Sequence, residues 1–388
     1  MPALPLTVAE YFAGIGLVHM GLRPHGWEVL FATDISPRKY ELYQVFFPET
    51  APFYTLTDVF DIVPSHVPQT TLATCSFPCT DISLAGKMQG MVNGRHSGTF
   101  RGFLDILKAQ GKTAPPLLLL ENVPGWLHSG HDFPMTVRNL NALGYACDVF
   151  ALNARHFVPQ SRLRIFLVGV RCPGSPAAPE RILARPRALL PPALRHAIQS
   201  NLHLSWYCHD LPAPPPLRSA GLSDLLEPLP EDDPRWWPPA RIQHHMNLLS
   251  PLHLSRIQTL LHQDYVTHRT FFRRERHGRQ CVEIRNDDLA GCLRTVSGGS
   301  ARQFLVQAGK GTLRMRSLTP REYARLQGVP DTYPLPVPER QALSALGDAV
   351  CVPAVSWIAQ HILTPLATGE PACHRGPIQP GLFTDGTD

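Results

Sequence analysis

A chain of 388 residues is long enough for two or three domains with substantial cores. Its 44% apolar and 17% charged residues exclude the low-hydrophobicity, high-charge composition of intrinsic disorder. The longest purely aliphatic run, residues 117–120, is far short of the roughly 20 residues of a membrane-spanning helix. Met1-Pro2-Ala3-Leu4-Pro5 lacks the basic and apolar regions of a signal peptide, so a cytoplasmic protein without a membrane partner is expected. Nine cysteines with no close CxxC pair indicate neither a disulfide framework nor a zinc ribbon; no metal site is expected, and a special cysteine must act as a thiol.

Up to about residue 170, short apolar runs alternate with helical stretches, which is the α/β pattern. Strands are predicted at 6–11, 28–33, 71–75, 116–120 and 164–170, short and continuously apolar as parallel strands covered on both faces are. Ligands of such sheets bind beyond the carboxyl ends of the strands, and every motif of this half lies there.

The first strand runs into Phe12-Ala13-Gly14-Ile15-Gly16-Leu17, a Gly-x-Gly turn opening a helix. The third glycine of a dinucleotide fingerprint would stand at 19, which is His19, so a pyrophosphate site is not supported. Asp34 ends the second strand, where a carboxylate can accept both hydroxyls of a ribose. Asp58 could cap a third strand and accept from an adenine amino group. A plain strand-to-helix turn with a capping acid reads the same way.

In Thr74-Cys75-Ser76-Phe77-Pro78-Cys79 a cysteine stands just past a strand end, after a proline that fixes the turn. Most buried cysteines are inert small hydrophobes, but this one projects toward the crevice. Glycines at 86, 90, 94 and 98 follow, as in a loop that closes over a substrate. Glu121 comes directly after four leucines, where a carboxylate costs desolvation unless it has a polar partner. Gln160-Ser161-Arg162-Leu163-Arg164 then brings alternating cations to the same edge.

Residues 171–240 hold 15 of the 40 prolines, so little regular helix or sheet is expected there. Trp206, Tyr207, Trp236 and Trp237 argue that this stretch packs on something, and a domain boundary is expected near 170. Residues 251–316 carry twelve Lys and Arg against five Asp and Glu, an excess of seven in a chain of net charge +5. Arg269, Arg273, Arg274, Arg276 and Arg279, interleaved with Phe271, Phe272, His268 and His277, suit phosphate neutralisation; a solvated helix face is the bland alternative.

Phe-x-Gly-x-Gly, Phe-Pro-Cys, Glu-Asn-Val and Gln-x-Arg-x-Arg, in this order and spacing, resemble the DNA (cytosine-5) methyltransferases of bacterial and phage type. Residues 316–330, with Leu318-Thr319-Pro320-Arg321-Glu322, look like the ninth motif of that family, and Gly347-Asp348-Ala349-Val350 looks like the tenth. Leu17, Ile35, Thr80 and Asp348 depart from the residues usual in the family, and none of them removes a reacting group.

The resemblance implies a Rossmann-like, S-adenosylmethionine-dependent methyltransferase domain of α/β class with a smaller irregular target-recognition domain. Residues 1–171 would begin the catalytic domain, 172–300 form the target-recognition domain, 301–364 return to the catalytic domain and 365–388 make a tail. Phe12, Gly14, Gly16, Pro78, Phe100, Asp348 and Ala349 would line the cofactor. Asp34 would bind its ribose, Ile35 and Val59 flank its adenine and Asp58 take the amino group. Cys79 would be the nucleophile and Glu121 the acid at N3. Arg164 and Arg162 would orient the base, and Asn122 with the Phe77 carbonyl would fix the pocket.

The resemblance further implies double-stranded DNA as partner, with the target cytosine rotated out of the helix. Ser83, the arginines at 269–279, Thr295, Ser297, Gly298 and Gly299 would contact the DNA. A tRNA cytosine methyltransferase and a catalytically silent DNA-binding subunit are the alternatives. The long recognition region and the Phe-Pro-Cys form favour DNA, and Cys79, Glu121 and Arg164 favour an active enzyme. By analogy, the protein would be a monomer serving a restriction-modification system, beside a separately encoded endonuclease.

Overall fold

The computed structural model describes residues 3–78, 98–128, 130–171, 179–296 and 301–369. The chain divides into two units: the first takes the described residues up to Asn153, Leu163–Pro215 and those from Ala354, and the second takes Ala154–Arg162 and Pro216–Pro353.

The first unit is built on seven strands, β1 (Thr7–Tyr11), β2 (Glu28–Asp34), β3 (Tyr54–Leu56), β4 (Leu72–Cys75), β5 (Leu117–Asn122), β6 (Tyr145–Asn153) and β7 (Leu163–Arg171), in the order β3-β2-β1-β4-β5-β7-β6. β1 to β5 pair in parallel, whereas β7 runs antiparallel to both β5 and β6. The expectation of parallel strands throughout is therefore corrected at β7. The reversal brings the start of β7 to the carboxyl edge of β5, with Ile165 opposite Asn122 and Phe166 opposite Glu121.

All four residues of β4 and the four leucines of β5 are buried, because helices cover both faces of a sheet that turns no side to water. The helices of this half are α1 (Leu17–Leu22), α2 (Pro37–Phe46), α3 (Thr99–Gln110) and α4 (Asp132–Ala142). On α3, Phe100, Phe103, Ile106 and Leu107 recur at helical spacing and enter the core with Phe77, Leu118 and Leu120. Each large apolar side chain so buried contributes about 1.5–3 kcal/mol.

Two features differ from the sequence reading. β6 has no counterpart among the predicted strands: Asp148 interrupts its apolar run, and its burial is compensated by Arg185, which pairs with both its oxygens at 2.5 and 2.8 Å, and by the His209 N–H, which donates to Oδ2 at 2.9 Å. Helices also form in the proline-rich stretch, among them α5 (Pro179–Leu183) and α6 (Pro192–Gln199). Their prolines stand at the first turn, where a missing N–H leaves no intrahelical bond unmade. Ile182, Leu190, Leu194, Ile198 and Trp206 pack in the core of this unit, so it continues past the change of composition near 170.

The second unit contains α7 (Leu222–Leu225), α8 (Pro239–Met246), α9 (Pro251–Leu261), α10 (Pro320–Leu326) and α11 (Glu339–Asp348). Its antiparallel sheet has the order β11-β10-β8-β9, formed by β8 (Thr267–Arg276), β9 (Arg279–Ile284), β10 (Gln303–Gly309) and β11 (Thr312–Ser317). Trp237, Phe271, Phe304, Val306 and Met315 make its core, and the Trp237 ring meets Phe304 edge-on at 5.1 Å. Among the described residues one stretch, Glu339–Thr368, is helical, long and apolar enough to cross a membrane; 72% of its most apolar window is buried within the protein, as in a core helix.

Candidate active site

Beyond β1 the backbone enters the left-handed region at Phe12 (φ 59°), Gly14 (φ 59°) and Gly16 (φ 78°). A side chain at Phe12 in this region is a local cost of the kind concentrated at ligand sites. The two glycines serve different ends. The Gly14 N–H donates to Asp34 Oδ2 at 3.1 Å, and its carbonyl accepts from the Tyr54 hydroxyl at 3.2 Å. At Gly16 a Cβ would lie 2.6 Å from the Phe47 ring and 2.9 Å from Tyr43, so this glycine lets α2 pack against the turn.

Asp34 is buried at the end of β2 and takes a second amide, from Ser36, on Oδ1 at 2.9 Å, with Lys39 Nζ 3.9 Å from Oδ2. A carboxylate has about four lone-pair sites, so two amides leave acceptors for a diol. The next residue, Ile35, is 65% exposed, an apolar side chain set at the mouth of the site. Asp58 accepts from the Phe60 N–H at 3.2 Å, Val59 is buried, and Pro78 is half-buried. Phe100, expected to line the cofactor, is instead committed to the core, 5.0 Å from the Phe77 ring and 2% exposed.

Glu10, on β1, was not singled out from the sequence. It is 1% exposed and no side chain among the described residues hydrogen-bonds its carboxylate. Burial pushes its pKa up to about 8, against the pull of the His19 backbone amide. An acid in the midst of Val8, Ala9 and Tyr11 was the available signal. With Asp34 it gives the site two carboxyl groups beside the Phe12 to Gly16 turn. That donor set fits S-adenosylmethionine, which carries two positive charges and a vicinal diol.

At the neighbouring edge, Arg164 Nε lies 2.8 Å from Glu121 Oε1, and both side chains are nearly buried. Asn122 donates from Nδ2 to the Phe77 carbonyl at 3.4 Å and accepts from the Val123 N–H at 2.8 Å. Glu121, Asn122, Arg164, Phe77 and Pro78 thus share the carboxyl edge of β4 and β5. Cys79 and Ser83, expected at this edge, lie outside the described residues, as do Ser297, Gly298 and Gly299. Cys75, the nearest described thiol in sequence, is fully buried, and burial holds its pKa well above the ordinary value.

Arg162 does not join Arg164. It belongs to the second unit, buried at 2% exposure, and its guanidinium donates to the carbonyls of Leu293 at 2.7 Å, Gly347 at 3.3 Å and Ala349 at 2.6 Å. The role expected for it, orienting the base, is corrected to that of a clamp on two backbone segments, because those carbonyls occupy its N–H fork. Asp348 and Ala349 also belong to this unit. Ala349 supplies one of the clamped carbonyls, and Asp348 accepts from the Thr295 hydroxyl at 3.3 Å.

The arginines at 269–279 lie on a hairpin, not a helix, turned by His277 and Gly278 at positive φ. Strand alternation places Arg269 and Arg273 on the face of Phe271, and Arg274 and Arg276 on the opposite face. Arg276 binds Glu283 at 2.5 Å with Arg274 nearby at 3.8 Å, while Arg279 is exposed beside the turn. One contiguous patch does not form.

The strand order and the carboxylate-lined turn define a Rossmann-like methyltransferase. The family model for C-5 cytosine-specific DNA methylases matches residues 6–364, and the chain belongs to that family. It is a DNA cytosine-5 methyltransferase. Among its relatives, the Type II methyltransferase M.HaeII of Haemophilus aegyptius is 28% identical over 362 residues, 92% of each chain. M.NlaX of Neisseria lactamica is 28% identical over 378 residues, 93% of this chain and 97% of that one. The fold is shared with the S. pombe Dnmt2 methyltransferase, at a TM-score of 0.59 and 17% identity, over 93% of this chain and 99% of that one. The family generally uses S-adenosylmethionine.

Proposed function

We propose that this enzyme methylates C5 of a cytosine rotated out of a specific duplex DNA sequence, with Cys79 as nucleophile. It acts in the cytoplasm, as a monomer, as the modification partner of a separately encoded restriction endonuclease. The Arg164–Glu121 pair beside Asn122 and the Phe77 carbonyl carries this reading. It sets an acid, a cation and an amide at the strand edge that the chain leaves through Phe77 and Pro78, one residue before Cys79. Residues up to Asn153, Leu163–Pro215 and those from Ala354 form the cofactor domain, and Pro216–Pro353 contain the part that reads DNA.

Bound S-adenosylmethionine supplies an electrophilic methyl group. Glu10 and Asp34 would receive its cationic and ribose parts, the amides of the Phe12 to Gly16 turn would lie against it, and Ile35 would cover an apolar face. The Cys79 thiolate adds to C6 of the cytosine, moving the electron pair of the C5–C6 bond to C5. Glu121 donates to N3 as negative charge builds, and Arg164 holds Glu121 and orients the base. C5 would take the methyl group as the methyl–sulfur bond of the sulfonium breaks with its electron pair left on sulfur; the C5 proton would then leave to a base, and the pair returning to the C5–C6 bond would expel the thiolate.

Fluorine at C5 blocks that last elimination. The target sequence is first read by methylation-sensitive sequencing of DNA from cells making the protein. Duplex carrying 5-fluorocytosine at that position, with S-adenosylmethionine, is then expected to give a denaturation-resistant adduct mapping to Cys79. Cys79→Ser gives neither adduct nor product, since a hydroxyl has no accessible anion. An adduct at Cys75, or methylation by Cys79→Ser, removes the nucleophile assignment.

A further inference from the structure

Three arginines of the second unit, far apart in sequence, are drawn together, two of them over one aromatic cluster. Arg241, on α8, lays its guanidinium 4.0 Å over the Trp237 ring. Arg273, on β8, sits 5.8 Å over Phe304, whose ring touches Trp237. Arg302 directly precedes β10, and since Gln303 pairs with Phe272, the ladder carried one residue further sets Arg302 against Arg273. Like charges opposed across a ladder are unfavourable.

Part of this repulsion is offset within the fold, and Arg241 is the member that no carboxylate relieves. Glu339 pairs with Arg302, but no carboxylate among the described residues forms an ion pair with Arg241, which is exposed. Burial of its stem, and then the like charges of Arg302 and Arg273, hold the Arg241 guanidinium below its ordinary value. Stacking on indole and phenyl rings fixes the planes of Arg241 and Arg273 before any ligand arrives, so little side-chain freedom is lost on binding. Arg274 and Arg276 lie on the opposite face of the same strand and are tied to Glu283.

We infer that Arg241, Arg273 and Arg302 form a phosphate-binding cluster that grips the backbone of the DNA substrate. This rests on the reading of duplex DNA as the substrate, and it moves the phosphate grip from the run at 269–279 to a cluster that only Arg273 shares with it. The ligand chemistry is the paired oxygens of successive phosphodiesters, to which planar guanidinium forks donate well. Such contacts position the duplex without reading its sequence.

The test is the salt dependence of binding to a short mixed-sequence duplex, with the full-length protein. Each phosphate contact adds about 0.9 to the slope of log affinity against log salt, so Arg241→Gln with Arg302→Gln should lower the slope by about 2 and weaken binding at low salt roughly tenfold or more. Arg241→Lys with Arg302→Lys should retain the slope. Lys112→Gln, which removes a charge beside the amino edge of β5, should leave it unchanged. Titration with the demethylated cofactor checks that the variants are folded. An unchanged slope in the double glutamine variant, beside salt-dependent binding by the unsubstituted protein, overturns the cluster alone. Absence of salt-dependent binding by the unsubstituted protein overturns the duplex reading and the cluster with it.

Discussion

Arg164 Nε stands 2.8 Å from Glu121 Oε1 across antiparallel neighbours β7 and β5. An acid at the end of one strand is thereby held by a cation at the beginning of the next, with both side chains nearly withdrawn from water. Glu121→Gln keeps the shape and the hydrogen-bonding reach but removes the proton supply at N3. It should slow methylation by about 10²–10⁴-fold while leaving thermal unfolding close to that of the parent protein. A radiolabelled methyl-transfer assay beside a melting curve checks this, and a full rate in the variant would rule Glu121 out as the acid.

Asp34 accepts two backbone amides, from Gly14 and Ser36, beside the turn proposed to receive the cofactor. Asp34→Ala should weaken binding of the demethylated cofactor by about 1–3 kcal/mol, roughly five- to 150-fold. Calorimetric titration measures it. Undiminished affinity would place the ribose elsewhere.

Arg162 donates to three carbonyls from a buried position in the second unit. Arg162→Met leaves those acceptors unsatisfied, so urea unfolding should show a loss of about 2–5 kcal/mol. If the variant unfolds like the parent yet loses turnover, Arg162 acts on the base after all.

Glu10 and His19 give stability a pH signature. Burial raises the Glu10 pKa from 4.5 to about 8, so between those values the folded protein holds a proton that the unfolded chain has released, and its contribution to stability falls as pH rises. His19, lowered by burial from 6.5 to about 4, acts in the opposite sense below pH 6.5, where the unfolded chain holds the extra proton. The two effects oppose each other from about pH 4.5 to 6.5, and Glu10 acts without His19 from 6.5 to 8. Stability of the ligand-free protein should therefore decline across pH 6.5–8, and Glu10→Gln should flatten that decline in chemical unfolding measured at half-unit steps.

Much of the strand edge at β1, β4 and β5 was legible in the sequence because its signals are local. Four consecutive leucines ending in Glu121, a proline-fixed turn before Cys79 and a glycine turn after β1 each declare a strand end within ten residues. Strands covered on both faces must be apolar throughout, so most of the sheet could be read without knowing its neighbours. What remained hidden depends on partners distant in sequence. β6 forms through Asp148 because Arg185, 37 residues away, neutralises it, and a strand carrying a buried charge has no signature of its own.

Arg162 reads like Arg164 in sequence, yet its carbonyl partners stand 131 and more residues away, and only the tertiary structure separates the clamp from the cation at the edge. The same holds for the basic middle of the chain. Composition reports how many arginines are present, but strand alternation divided the run at 269–279 between two faces, and packing on Trp237 and Phe304 brought Arg241 to Arg273. Chemistry carried by a single strand end is written in the residues around it; charge that acts in concert is decided by which side chains the fold makes neighbours.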